Sequence, residues 1–146
     1  MEIELINRLL DYWNKANVRS SELSINEKIH ILIEKGISMP NDFKFFYLQL
    51  NGMEDEDEEG FRFYKIDEIL TMGEMFSLTP DNTLAKIIVF GDYLHSSWWY
   101  GFRILTGDRY EIGIIPFPQK FKVISTSLTE FLKLYLEDSP ILYDYE

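Results

Sequence analysis

Four stretches of the chain repeat their apolar residues at helical spacing. In residues 3–13, Ile3, Ile6, Leu9, Leu10 and Trp13 recur every three or four positions, which predicts an amphipathic helix. A second helix follows a polar break. Ser24 and Glu27 have the spacing of a capping box, Ile25, Ile29 and Leu32 form its apolar stripe, and Gly36 suits its C-terminal stop. The segment "MPNDFKFFYLQLNG" gives the third helix. Pro40 suits a first-turn position, Asp42 favours the positive end of the dipole, and Asn51-Gly52 can take a left-handed cap. Phe43, Phe46, Tyr47 and Leu50 fall at i, i+3, i+4 and i+7, an aromatic stripe that reads as core. The last helix lies near residues 128–136, where Leu128, Phe131, Leu132 and Tyr135 share one face.

From residue 61 the period changes to two. "FRFY" alternates, "AKIIVFGD" is a continuous apolar run suited to a central strand, and "SSWWYGFRIL", "RYEIGIIPF" and "KFKVIST" supply further strands, with a short helix around 67–76. With residues 97–105 as a strand, Trp98, Tyr100, Phe102 and Ile104 point to one face, taken as the core, and Trp99, Gly101, Arg103 and Leu105 to the other. A three-residue turn at "TGD", 106–108, then sets Leu105 opposite Arg109, Arg103 opposite Glu111 and Gly101 opposite Gly113. The facing glycines predict a bare notch between Trp99 and Arg103, open to a neighbouring side chain or to a partner.

Charge changes this picture more than composition does. Asp and Glu number 25 against 14 Lys and Arg, a formal net charge of −11 with no basic cluster, so nucleic acid is not expected as a ligand and a basic protein is the natural partner. Six of the carboxylates, Glu54, Asp55, Glu56, Asp57, Glu58 and Glu59, are consecutive. A core would not accept that density, so the run is expected to form a solvated loop. It lacks the alternating ligands and central glycine of an EF-hand. The absence of cysteine removes disulfides, thiolate nucleophiles and Cys-ligated zinc. Neither a secretory signal nor a membrane span is visible, and a cytoplasmic location is expected.

The segment "FGDYLHSSWWYGF" holds the raw material of Ser-His-Asp chemistry, but Asp92, His95, Ser96 and Ser97 lie too close in sequence to converge easily as a triad. There is no G-x-S-x-G elbow, no P-loop and no H-E-x-x-H. The other histidine, His30, sits between Ile29 and Ile31 in the second helix, where a structural role is expected. No catalytic residue, metal ligand or cofactor site is therefore assigned.

Taken in order, Pro40, Asp42, Phe43, Phe46, Asn51 and Gly52, then Gly91-Asp92, then Ser127, Phe131 and Leu132 resemble the SUKH superfamily, which includes fungal cell-wall assembly regulators of the Smi/Knr type. The similarity runs over residues 36–136. It implies an α+β fold in which N-terminal helices and a C-terminal helix pack on a curved, mostly antiparallel β-sheet. Residues 1–146 would form a single SUKH-like domain without catalysis. It also implies binding of a protein partner: bacterial members are commonly immunity proteins that neutralise a cognate polymorphic toxin, often a nuclease, while fungal members act as regulatory scaffolds. A small enzyme is the third reading. The residues expected to meet the partner are Glu54 to Glu59, Asp92, Tyr93, His95, Trp99 and Arg103.

Overall fold

The computed structural model describes residues 1–20 and 23–146. Its frame is an antiparallel sheet of six strands: β1 (Phe61–Phe63), β2 (Leu70–Thr71), β3 (Ile88–Tyr93), β4 (Trp98–Ile104), β5 (Tyr110–Ile115) and β6 (Lys122–Ser125). The spatial order is β1-β3-β4-β5-β6, and the short β2 pairs with β3 beside β1. Helices α1 (Ile3–Lys15), α2 (Ile25–Lys35) and α3 (Asn41–Gln49) precede the sheet, the short α4 (Met72–Phe76) follows β2, and α5 (Leu128–Leu136) follows β6. This is the α+β arrangement that the resemblance implies.

The core lies on the sheet face that carries Phe61, Phe63, Phe90, Tyr100 and Phe102, all buried. Phe43 of α3 brings its ring within 4.3 Å of Phe102 and 5.1 Å of Phe90, and Phe131 of α5 lies 5.4 Å from Phe90 and 5.6 Å from Tyr100. Such offset and edge-on ring pairs add to the area they bury. Helix α1 covers α5, and Trp13 Nε1 donates to Tyr135 Oη at 3.1 Å.

The central hairpin has the expected register: Arg103 pairs with Glu111, Gly101 with Gly113, and Leu105 N–H donates to Arg109 O across the turn. The notch at the glycines is filled from within the chain. A Cβ on Gly101 would lie 2.9 Å from Ile87 Cγ2, and one on Gly113 would lie 2.7 Å from the Phe121 ring, so both positions need glycine for close approach.

Several expectations are corrected. In α1 the inward stripe is Leu5, Ile6, Leu9 and Trp13, and Ile3 and Leu10 are exposed. Helix α3 begins after Pro40 as its N-cap and stops at an extended Leu50, while the left-handed Gly52 lies beyond the helix, packed against Tyr64 O. On β4, Tyr100 and Phe102 are core, but Trp98 at the strand's start is half-buried and Ile104 at its end is exposed. Helix α2 keeps its Ser24 cap and left-handed Gly36, yet Ile25 and Ile29 of the expected buried stripe face out, and only Leu32 is partly covered. The sheet face is already covered by the other helices, and α2 is tied down along another edge, where Lys35 Nζ donates to Asp67 O and Ile69 O at 2.7 Å each. His30 lies on the exposed side of α2, 3.0 Å from Glu34.

Candidate functional site

At the end of the sheet where β3 turns into β4, the acidic run meets the segment that resembled an active site. The turn is tight, and Leu94, His95 and Ser96 all adopt positive φ (45°, 51° and 65°). Each non-glycine residue in that conformation costs roughly 1–2 kcal/mol, so the turn must be held from outside. The acidic loop holds it: Gly60 O accepts from Leu94 N–H at 2.8 Å, and Glu56 Oε1 accepts from His95 N–H and lies 3.2 Å from His95 Nδ1.

The loop is less free than its composition suggested. Asp57 is buried, against the expectation of a wholly solvated run. Burial is tolerated because its oxygens are paired: Oδ1 accepts from Glu59 N–H and Phe61 N–H at 2.9 Å each, and Oδ2 accepts from Tyr135 Oη. Burial and then the Asp57 charge push the Tyr135 phenol well above its ordinary range. Glu54 pairs with Lys65 at 3.3 Å and Asp55 with Arg19 at 2.5 Å. Glu58 and Glu59 are exposed and take no ion pair among the described residues.

Between loop and turn lies an open cleft of about 620 Å³. Glu54, Asp55, Glu56 and Asp57 line it from the loop, and Asp92, His95 and Ser96 from β3 and the turn, together with Arg62 of β1. Asp92 is buried; its Oδ2 accepts from Tyr64 Oη at 2.8 Å and from Ser96 Oγ at 3.0 Å, while Oδ1 is buried without a hydrogen bond. Burial and the neighbouring Asp92 carboxylate both raise the Tyr64 phenol pKa. Arg62 is turned to Glu68, at 3.0 and 3.3 Å, and lies 4.9 Å over the Tyr64 ring. Ser96 thus donates to Asp92 and His95 faces Glu56, which is not the Ser-to-His-to-Asp relay that nucleophilic catalysis uses.

The cleft therefore unites six of the expected partner-binding residues, Glu54 to Asp57, Asp92 and His95. It leaves out Glu58, Glu59, Tyr93, Trp99 and Arg103. Tyr93 lies on the other face of the sheet, stacked on Trp98 at 4.6 Å and packed on Tyr143 at 4.9 Å; Trp98 in turn meets Tyr145 at 5.2 Å. These half-covered rings flank the same turn. Trp99 pairs with Asp92 across the strands, but its ring packs edge-on against Phe76 at 4.8 Å. Arg103 is bound to Glu111 at 2.7 Å and lies 5.0 Å over the Phe121 ring, contacts that tie the hairpin together. Sequence reasoning overlooked Arg62, although the alternation in "FRFY" sets it opposite Phe61 and Phe63 and so onto the face of Asp92.

Comparison with known proteins gives one match: the family model described as SMI1 / KNR4 family (SUKH-1) matches residues 26–134, most of the chain. No curated protein and no solved structure matches. No helix among the described residues is long and apolar enough to cross a membrane.

Proposed function

Because this chain belongs to the SMI1 / KNR4 family (SUKH-1), we propose that it acts by binding another protein, as an immunity protein that covers a basic toxin domain with the acidic cleft beside the β3–β4 turn. The observation that carries this reading is the convergence of Glu54, Asp55 and Glu56 with Asp92 and His95 on one open cleft. Carboxylates held in a cleft on a chain of net charge −11 attract a cationic surface and speed its approach. The rings of Tyr93, Trp98 and Tyr145, on the opposite face of the sheet at the same turn, are the aromatic type that anchors interfaces. A bound nuclease would meet carboxylates where the phosphates of its substrate would sit. The geometry of Ser96, His95 and Asp92 supports a non-catalytic reading.

The test is affinity purification from the native cell with the wild-type protein and with the triple variant Glu54→Gln, Asp55→Asn, Glu56→Gln. Glu54 and Asp55 are exposed, Glu56 is half-buried, and none is the buried Asp57. The expected result is a basic protein, toxic when expressed alone, whose association with the variant slows about tenfold at low salt and loses its salt dependence. Recovery of wall-synthesis or signalling proteins instead would favour the regulatory scaffold, and unchanged association would remove the cleft from the interface.

A further inference from the structure

Two carboxylates of the acidic cleft are buried, and they differ in one atom. Both oxygens of Asp57 are bonded, whereas Asp92 accepts only at Oδ2, from the neutral hydroxyls of Tyr64 and Ser96, and its Oδ1 takes no hydrogen bond. Asp92 is 4% exposed, and a carboxylate oxygen removed from water without a donor is costly. A cation stands directly across the sheet, because Arg62 is the partner of Asp92 in the register of β1 and β3. Glu68 holds it away: the Arg62 guanidinium lies 3.0 and 3.3 Å from the two Glu68 oxygens and forms no ion pair with Asp92. The loop carboxylates Glu54 and Asp55 have cations of their own in Lys65 and Arg19, so Asp92 is the member of the cleft left with an unbonded, buried oxygen.

We propose that Asp92 is the seat for one arginine side chain of the protein partner, and that Glu68 keeps it available by holding Arg62 aside. The proposal rests on the reading of the cleft as a protein interface and names the group that enters it. Ser96 is exposed on the turn, so a guanidinium arriving from solvent can take over the oxygen that Ser96 now holds. The terminal torsion of an aspartate is two-fold, so a small turn of the carboxylate offers the unbonded oxygen as well. Arginine suits this position better than lysine. Its planar fork sets two N–H groups on one carboxylate, and further N–H groups remain for Glu56, which lines the same cleft and whose Oε2 takes no hydrogen bond among the described residues. The guanidinium is also more weakly hydrated than an ammonium, so it gives up less on entering a half-buried site. Glu68 touches no partner in this scheme and acts through Arg62, as a positioning residue.

Three capped tripeptides, glycine-X-glycine with X as arginine, lysine or the neutral isostere citrulline, provide the test. Each is titrated into the full-length protein labelled with nitrogen-15, and the backbone amide shifts are followed. The expected result is a saturable shift of the Asp92, His95 and Ser96 amides with the arginine peptide, with lysine binding at least about threefold more weakly and citrulline giving no saturable shift. Asp92→Asn should weaken the arginine peptide at least about tenfold. Glu68→Gln keeps the oxygen that accepts from Lys65 N–H but loosens Arg62, which should swing to Asp92 and weaken the peptide at least about threefold; adding Arg62→Gln should restore binding. That rescue is what a merely structural role for Asp92 or Glu68 would not produce. Four results would overturn the proposal: citrulline or lysine binding as well as arginine, no shift at the cleft with any peptide, binding unchanged in Asp92→Asn, or a Glu68→Gln variant that Arg62→Gln does not rescue. If the peptides fail while a basic protein is still recovered whose association depends on Glu54, Asp55 and Glu56, the interface stands and the arginine seat alone falls.

Discussion

Asp57 shows how one carboxylate in a run of six can differ in kind from its neighbours. It caps the loop by accepting from two backbone N–H groups and from the Tyr135 hydroxyl, which also accepts from Trp13. Asp57→Ala would leave those donors buried and unpaired, and hydrogen bonds to a charged group carry about 1.5–3 kcal/mol each. The variant is expected to lose on the order of 3 kcal/mol in urea unfolding, Tyr135→Phe about 1–2 kcal/mol, and Glu58→Gln less than about 0.5 kcal/mol. A loss in Asp57→Ala no larger than in Glu58→Gln would return Asp57 to the solvated loop. Composition could not single out Asp57, because the hydroxyl that accounts for its burial arrives 78 residues later in the chain.

At the scale of elements, strand parity was legible and helix facing was not. Alternation in two adjacent strands, with a three-residue turn between them, leaves one register that pairs Arg103 with Glu111, and the hairpin has it. Helix α5 was equally readable, since its apolar stripe, Leu128, Phe131, Leu132 and Tyr135, is also its buried face. In α2 the same kind of stripe pointed outward, because periodicity shows that a helix has an apolar face without showing what covers it. The cleft was legible in its parts, the acidic run and the "DYLHS" segment, but their meeting depends on β1 pairing with β3 and on contacts to a turn whose three left-handed residues carry no glycine. That turn makes its own prediction. His95→Gly keeps the backbone N–H that Glu56 accepts and removes a side chain that is almost fully exposed, so relief of strain should outweigh the lost side-chain contact with Glu56. After the entropy cost of glycine, the variant should gain about 0.5–1 kcal/mol in urea unfolding. A loss of stability would mean that the imidazole contact with Glu56 matters more than the conformation.

For the whole molecule, the distribution of tyrosines sets the alkaline limit of the fold. Tyr47, Tyr64, Tyr100, Tyr110 and Tyr135 all have hydroxyls whose pKa is raised above the ordinary value of 10.0, with burial as the first cause in each. The unfolded chain therefore gives up these protons before the folded one does. Their contribution to stability is complete below pH 10 and drains away as pH rises through the higher folded values. Tyrosinate absorbance followed together with far-ultraviolet circular dichroism should show these five rings ionising only as the secondary structure is lost. Full ionisation in a still-folded protein near pH 10 would contradict the burial of the hydroxyls.

The bond between Tyr135 and Asp57 also sets an order in time. A ribosome adds roughly 5–20 residues per second, so the 78 residues that separate the two take about 4–16 s to make. For that interval the acidic loop exists without its anchor, and the β3–β4 turn that leans on it shares that state from the moment it is made. A newly made chain therefore gains its cleft only after α5 has left the exit tunnel. Any binding that needs this cleft starts at least that long after the acidic loop itself has been made.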